Sequence, residues 1–193
     1  MDLFTYSCFF PLCSFAFVLV SLTMENAHIL KNIIEERRSI FPKDYSDKEI
    51  PQHILEEVLS SAVLAPNHKR TKPWRFKAFK GPEKQNLGLE LQTIYKNSTP
   101  ETMFLQKKYD DIGFKISKAN VVISIVVNFS GLVPDWEEIA AVSMAVQNMY
   151  LTCTANNIGC YWSSPKIVEQ LKENLTIEEN QQCLGLFYMG SLE

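Results

Sequence analysis

The run VVISIVV at residues 121–127 constrains the fold more than any other feature of the chain. Its residues are β-branched apart from Ser124, and β-branched side chains favour strands. Since neighbouring side chains of a strand point to opposite faces, this strand must be covered on both sides. We therefore expect a sheet with helices on each face and with this strand in its middle. A chain of 193 residues has room for one such domain with a sizeable core.

Hydrophobic periodicity and turn residues predict the elements around this strand. The helix at residues 135–157 is apolar or small almost all round, which indicates a buried helix that packs against a partner subunit. Residues 96–118 are polar and poorly periodic, so we expect a mobile excursion with room for one short helix. Further strands are predicted at residues 74–80, 160–162 and 183–189, and further helices at residues 26–37, 51–64, 83–95 and 165–173.

Composition and motifs exclude several classes of protein. The 19 basic and 22 acidic residues give a formal net charge of −3, so no global positive field is present to hold a nucleic-acid backbone. The five cysteines contain no C-x-x-C pair, which argues against a disulfide framework and against a zinc site. This cysteine usage favours a reducing, cytoplasmic compartment. The sequence also lacks the motifs of P-loop, Rossmann, zincin and α/β-hydrolase proteins.

Residues 1–23 are an apolar extension that precedes the globular part, residues 24–193. Three interpretations stay open. Met24 is the true start, the extension is a membrane-proximal anchor, or it is a cleaved signal. No Lys or Arg occurs before Lys31, which weighs against a signal, and the apolar run is marginal in length for a spanning helix. We expect contact with a membrane only if residues 1–23 are truly part of the protein.

Three short clusters carry the candidate chemistry: Arg37-Arg38-Ser39, the loop at residues 65–74, and residues 161–164. Two arginines that close a helix can simply complement its dipole, and the third cluster is equally typical of strand core followed by a helix cap. The loop is denser in charge than a solvated surface requires, although a solvated loop stays an alternative. Concentrated positive charge on a mildly acidic protein indicates an anionic ligand, such as a phosphate or a reduced ring. The cationic or potentially cationic residues of the loop are His68, Lys69, Arg70, Lys72 and Arg75.

Taken in order, these clusters resemble the flavin-dependent nitroreductase family. The stretch ERRSIFPKDYSDKEIPQHILEEVLSSAVLAPNHKRTKPWRF resembles the compact branch that carries R-R-S, then I-P, then A-P-[ND]-H-x-x-x-x-P-W-x-F. The later AVQNMYLTCTANNIGCYW and a strand that ends in FYMG are similar to the family's central helix, hairpin strand and closing strand. The resemblance implies an α+β three-layer sandwich with a mainly antiparallel central sheet flanked by helices. It also implies an interlocked homodimer with one FMN at each of two interface sites.

The same resemblance implies an activity and a set of residues. An FMN-dependent oxidoreductase of this family would pass electrons from NAD(P)H to a planar small molecule, such as a nitroaromatic compound or a quinone, by a ping-pong mechanism. The flavin would carry the chemistry, so no side chain is expected to be catalytic and no metal is expected. The residues expected at the FMN phosphate and ribityl chain are Arg37, Arg38 and Ser39; those expected to reach the flavin from the partner subunit are His68 and Lys72; those expected beside the isoalloxazine ring are Tyr161, Trp162 and Ser163.

Three features depart from the family's pattern. Lys72 stands where relatives often have a glutamine or another polar residue, and Ser163 stands where the compact branch tends to have a basic residue. The sequence ends at Glu193, whereas family members usually continue into a tail with a basic residue for the phosphate. Three alternatives therefore stay open: a flavin-binding protein without NAD(P)H turnover, a relative with another flavin reaction, and a membrane-attached interaction protein that uses residues 1–23.

Overall fold

The computed structural model describes residues 12–171 and 174–192, and for residues 12–23 the backbone alone. The chain divides into two units, Met1–Glu36 and Arg37–Glu193. Helix α1 (Leu12–Glu36) belongs to the first unit; it confirms the predicted helix at residues 26–37 and begins well before it. No helix among the described residues is both long and apolar enough to cross a membrane. The three interpretations of residues 1–23 depend on side chains outside the described part and stay predictions.

A four-stranded antiparallel sheet forms the middle of the second unit. The order of its strands is β1-β2-β4-β3, so the strand predicted from VVISIVV is an interior strand. Its side chains alternate between two cores, with Ile123 and Ile125 in one and Val122 and Val126 in the other. The strands are β1 (Trp74–Phe79), β2 (Val121–Asn128), β3 (Ile158–Ser163) and β4 (Gln181–Ser191).

Helices cover both faces of this sheet. The first core contains residues of α2 (Gln52–Ala62) and α5 (Asp135–Ala155), and the second contains residues of α3 (Gly81–Ser98) and α4 (Gln106–Lys118). The predicted α+β three-layer sandwich is therefore confirmed. The homodimer stays a prediction.

The polar segment at residues 96–118 needs a correction, because 13 of its residues form helix α4. Ile112 and Ile116 lie one helical turn apart and pack into the second core. Gly88 of α3 permits this approach, since a Cβ atom there would lie 2.9 Å from a methyl carbon of Ile116. Because the other side of α4 carries many charged residues, its apolar stripe is too narrow to be recognised as helical periodicity in the sequence.

The helix predicted at residues 165–173 also needs a correction. The structure has a five-residue 3-10 helix, Lys166–Gln170. The helix stops because Leu171 adopts an extended conformation, with φ −63° and ψ 119°, and buries its side chain in the second core. The last two residues of the prediction, 172 and 173, lie outside the described part of the chain.

Candidate functional site

The hydroxyl of Tyr150 connects two of the clusters predicted from the sequence. It accepts a hydrogen bond from the backbone N–H of Trp162 at 2.7 Å and lies 3.3 Å from Ser39 Oγ. The guanidinium carbon of Arg37 lies 5.4 Å from the centroid of the Tyr150 ring, a cation–π distance. One buried tyrosine of α5 thus brings together Arg37, Ser39 and Trp162, and we call these four residues the Tyr150 cluster.

Strand β3 explains why a side-chain hydroxyl is needed there. It lies at the edge of the sheet and pairs with β4 alone, so outward N–H groups of β3 have no strand partner. The Tyr150 hydroxyl supplies a partner for Trp162. The Tyr150 ring is held edge-on against Phe187, with centroids 5.1 Å apart and planes at 86°. The position of the hydroxyl is therefore fixed by the packing of α5 on the sheet.

The segment that follows Arg37 is held along the same strand. The Ile40 N–H donates to the Cys160 carbonyl at 3.0 Å, and the Tyr45 hydroxyl donates to the Ile40 carbonyl at 2.9 Å. Arg38 is exposed, and its guanidinium donates to the Arg37 carbonyl at 2.9 Å. Arg37 and Ser39 therefore lie against Tyr150, and the exposed Arg38 adds a second basic side chain to the same segment.

A glycine of β4 keeps the Trp162 indole in place. Indole Nε1 donates to the Leu184 carbonyl at 3.2 Å. The next residue, Gly185, has φ +144°, and a Cβ atom there would collide with the Trp162 ring and the Ser163 carbonyl. The flat apolar surface that the indole presents thus depends on a glycine at this position.

The structure does not bring Tyr161 together with Trp162, because neighbours in a strand face opposite ways. Tyr161 lies in the second core, where its ring stacks on Tyr188 with centroids 4.9 Å apart. Burial raises the pKa of Tyr161 to about 12. Ser163 is half-buried at the end of β3. The predicted roles of Tyr161 and Ser163 beside a ring stay predictions, and Tyr161 would have to act from behind the sheet.

The cationic loop is attached to the other end of α5. His68 Nδ1 lies 2.6 Å from Glu137 Oε2, and Lys69 Nζ donates to the Leu132 carbonyl at 2.8 Å. The Lys72 N–H donates to Asn67 Oδ1 at 3.0 Å. These contacts hold residues 67–72 beside the first turn of α5 and leave the lysine and arginine side chains on the surface.

The backbone of this loop adopts a conformation that its residues disfavour. Lys69, Arg70 and Lys72 have φ of 49°, 56° and 46°, in the left-handed region that glycine usually occupies. Each costs roughly 1–2 kcal/mol relative to an ordinary conformation. Backbone strain of this kind occurs most often at functional sites.

The two groups of predicted residues are far apart in one chain. Glu137, which contacts His68, and Tyr150, which contacts Ser39, are both on α5. Thirteen residues at 1.5 Å per residue separate them by about 20 Å. The structure therefore assembles Arg37, Ser39 and Trp162 in one place, and His68 and Lys72 in another.

Sequence reasoning missed Tyr150 and Glu137, which make the central contacts of the two groups. Tyr150 carries a hydroxyl in a stretch of α5 that is otherwise largely apolar or small, and a buried hydroxyl needs a partner. A tyrosine within an otherwise apolar stretch of helix is therefore the feature of the sequence that could have indicated Tyr150. Glu137 gave no such signal, because an acidic residue in the first turn of a helix is ordinary.

The model of the nitroreductase family matches residues 34–191 of this sequence. The chain belongs to the nitroreductase family. The resemblance to the family is therefore confirmed. The matched range contains every residue that the sequence predicted for the cofactor, and the roles of those residues stay predictions.

Individual nitroreductase relatives agree with this assignment. The protein named "Putative NAD(P)H nitroreductase YfhC" from Bacillus subtilis (strain 168) is 27% identical over 168 residues, which is 84% of each chain. The crystal structure of a nitroreductase-like family protein from Bacillus cereus has a TM-score of 0.70 at 25% identity, and covers 85% of this chain and 86% of its own. The FMN-dependent nitroreductase NfnB from Mycobacterium smegmatis, crystallised with NADPH, shares the fold with a TM-score of 0.68 at 16% identity, over 86% of this chain and 89% of its own.

Proposed function

We propose that this protein is an FMN-dependent oxidoreductase that passes electrons from NAD(P)H to a planar, electron-poor acceptor such as a nitroaromatic compound or a quinone. The observation that carries the proposal is the Tyr150 cluster. Its guanidinium group and hydroxyl are donors of the kind that bind phosphate and sugar-like hydroxyl groups, and its indole offers a flat apolar surface for a ring. FMN combines those three chemical parts, so the residues present fit it. The name and the bound NADPH of the Mycobacterium smegmatis relative are consistent with the same cofactors.

Each residue has a distinct part in this proposal. Arg37 and Arg38 bind the phosphate, Ser39 holds the adjoining chain, and the Trp162 indole orients the ring. FMN held by these residues would supply the redox chemistry, namely hydride uptake from NAD(P)H and two-electron delivery to the acceptor. Lys72 places positive charge where negative charge develops, and His68 contacts the flavin from the same loop. The resemblance to the family implies that NAD(P)H and the acceptor would use the same site in turn, so we expect the oxidised nicotinamide to leave before the acceptor enters.

A site shared between two chains follows from the separation of the two groups. Because they lie about 20 Å apart along one helix, they can hold opposite sides of one ring only if they come from different chains. The exposed apolar side chains of α5 support an interface on this face. Trp136 is 68% exposed and Met144 is 40% exposed, which is costly unless another surface covers them. We therefore propose a two-fold symmetric homodimer with two equivalent sites.

Absorbance spectroscopy tests the cofactor. The full chain is incubated with FMN, separated from free FMN by gel filtration, and titrated with NADH without oxygen. The proposal expects flavin absorbance that co-elutes with the protein and that one equivalent of NADH bleaches. Bound flavin that neither NADH nor NADPH bleaches would show a flavin-binding protein without turnover. Protein that retains no FMN would overturn the site assignment.

Mixed dimers test the shared site. Arg37→Ala and Lys72→Ala chains are prepared separately and then unfolded and refolded together. If each site takes one group from each chain, a mixed dimer regains one intact site, and about a quarter of all sites recover in an equal mixture. If both groups serve a flavin in the same chain, no site recovers. Each variant refolded alone is the control.

A further inference from the structure

We infer that a cavity on the face of the sheet opposite α5 binds a small carboxylate that carries a short apolar chain. The cavity has a volume of about 250 Å³ and lies beside the edge strand β1, between the sheet and residues 174–177. It shares no lining residue with the Tyr150 cluster or with the loop at residues 67–72. The inference therefore goes beyond the proposed function and does not depend on it.

Ser124, the polar residue that interrupts the VVISIVV run, lines this cavity. Its side chain shares a face with Val122 and Val126, because alternate residues of a strand point the same way. Ser124 is 1% exposed, and its hydroxyl has no hydrogen bond to any residue in the described part of the chain. A buried hydroxyl without a partner is destabilising, and a valine would suit an interior strand better. The hydroxyl is therefore available to a ligand in the cavity.

Two cations of β1 line the same cavity. Lys77 is the cross-strand partner of Ser124, and Arg75 lies two residues earlier on the same face of the strand. Arg75 Nη1 donates to the carbonyls of Lys72 and Trp74, each at 2.9 Å, which leaves Nε and Nη2 as a pair of parallel donors. Neither cation forms an ion pair within the residues that the structure describes. Two parallel N–H donors match the two oxygens of a carboxylate.

The wall of the cavity that faces β1 is anchored by Asn174. Its backbone N–H and its Nδ2 donate to Glu90 Oε2 at 3.1 and 2.7 Å. Lys77 Nζ donates to the Asn174 carbonyl at 3.3 Å and has two further protons for a ligand. These contacts hold the wall in place before a ligand arrives, so binding does not have to order it.

The remaining lining of the cavity is partly apolar, with Val126, Leu175 and Ile177 on that side. An inorganic anion would leave this apolar surface uncovered, whereas a short hydrocarbon chain would cover it. A water molecule takes about 30 Å³ of liquid, and a ligand atom with its hydrogens takes a similar share, so the cavity holds about eight non-hydrogen atoms. A carboxylate with a chain of about five carbons, such as hexanoate, has this size and this division of polar and apolar parts.

Titrations followed by NMR chemical shifts test the site. The full chain is saturated with FMN and titrated with hexanoate, with the neutral hexanamide of equal size, and with inorganic phosphate. Ser124→Ala removes the hydroxyl, and Lys77→Gln removes one charge from the surface of the cavity. The matched control is Lys107→Gln, which removes an exposed lysine of α4 that does not line the cavity.

We expect hexanoate to bind with a Kd of about 1 mM, and hexanamide to bind about tenfold more weakly or less tightly still. Ser124→Ala and Lys77→Gln should each raise the Kd for hexanoate by about five- to tenfold, because each removes one hydrogen-bond donor to the carboxylate. Lys107→Gln should leave that Kd within about twofold of the unaltered protein.

Three results would overturn the inference. The first is an equal Kd for hexanoate and hexanamide, or a Kd for hexanoate that neither variant changes. The second is phosphate that binds as tightly as hexanoate, since the apolar side of the cavity would then have no part in recognition. The third comes from repeating the titration without FMN: hexanoate that binds only when FMN is absent would occupy the cofactor site instead of this cavity.

Discussion

Replacement of Tyr150 by Phe removes the hydroxyl that joins the Tyr150 cluster and leaves the ring against Phe187. The Trp162 N–H, which donates to that hydroxyl at 2.7 Å, loses its partner at an edge strand. A polar group left without a partner inside a protein costs about 1–3 kcal/mol. The contact with Ser39 is longer, at 3.3 Å, and Ser39 is exposed, so its loss adds less than about 1 kcal/mol. We expect Tyr150→Phe to lower the free energy of unfolding by about 1–3 kcal/mol and to weaken FMN binding by up to about tenfold.

Urea denaturation and FMN titration by fluorescence measure the two effects. Tyr109→Phe is the matched control, because the half-buried Tyr109 has a hydroxyl without a hydrogen bond in the described part of the chain. A Tyr150→Phe protein within about 0.5 kcal/mol of the unaltered protein, with the same Kd for FMN, would refute the central role of this hydroxyl. Loss of stability with an unchanged Kd would show that the hydroxyl supports the fold and not the site.

Three further predictions concern single residues. Gly185→Ala should lower the free energy of unfolding by about 3 kcal/mol or more, because its Cβ atom would collide with neighbours. Gly131→Ala is the control: Gly131 has φ +70° but no atom near its Cβ position, so stability should fall only by the cost of that backbone conformation. Equal losses of stability in urea denaturation would contradict this prediction. Folding raises the pKa of Tyr161 from 10.0 to about 12, so the unfolded chain loses this proton first and stability falls as pH rises from about 10 to 12. Tyr161→Phe should make that fall shallower when the free energy of unfolding is measured at several pH values. An unchanged dependence of stability on pH would refute the prediction. His68→Gln should lower the free energy of unfolding by less than about 1 kcal/mol, because the His68 side chain is 58% exposed. The same variant should weaken FMN binding. A large loss of stability would instead indicate a structural role for His68.

The sequence predicted much of the architecture, because the main elements repeat a local pattern. The VVISIVV run identified an interior strand, and the apolar run of α5 identified a buried helix. The same reasoning failed for α4, where two isoleucines among many charged residues make a stripe too narrow to recognise. It also failed at Leu171, where burial in the second core ends the 3-10 helix.

The candidate site, like the fold, was predicted only in part from the sequence. Sequence motifs named Arg37, Ser39, Trp162, His68 and Lys72, because the residue types and their order carry the resemblance to the family. They did not show that Tyr150 joins the first three residues, or that the last two lie about 20 Å away along α5. They also did not show that Tyr161 faces away from Trp162, although the alternation of a strand implies it.

The sequence by itself therefore determined the family, the three layers and the kinds of side chain available to a cofactor. Only the tertiary structure decided which of those side chains meet, and which loop residues adopt positive φ. The physical reason is that the pattern of a strand or helix shows which residues along the chain are buried, but not which residues from other elements they contact. The distance between Ser39 and Tyr150, in contrast, depends on how a whole helix packs on a sheet.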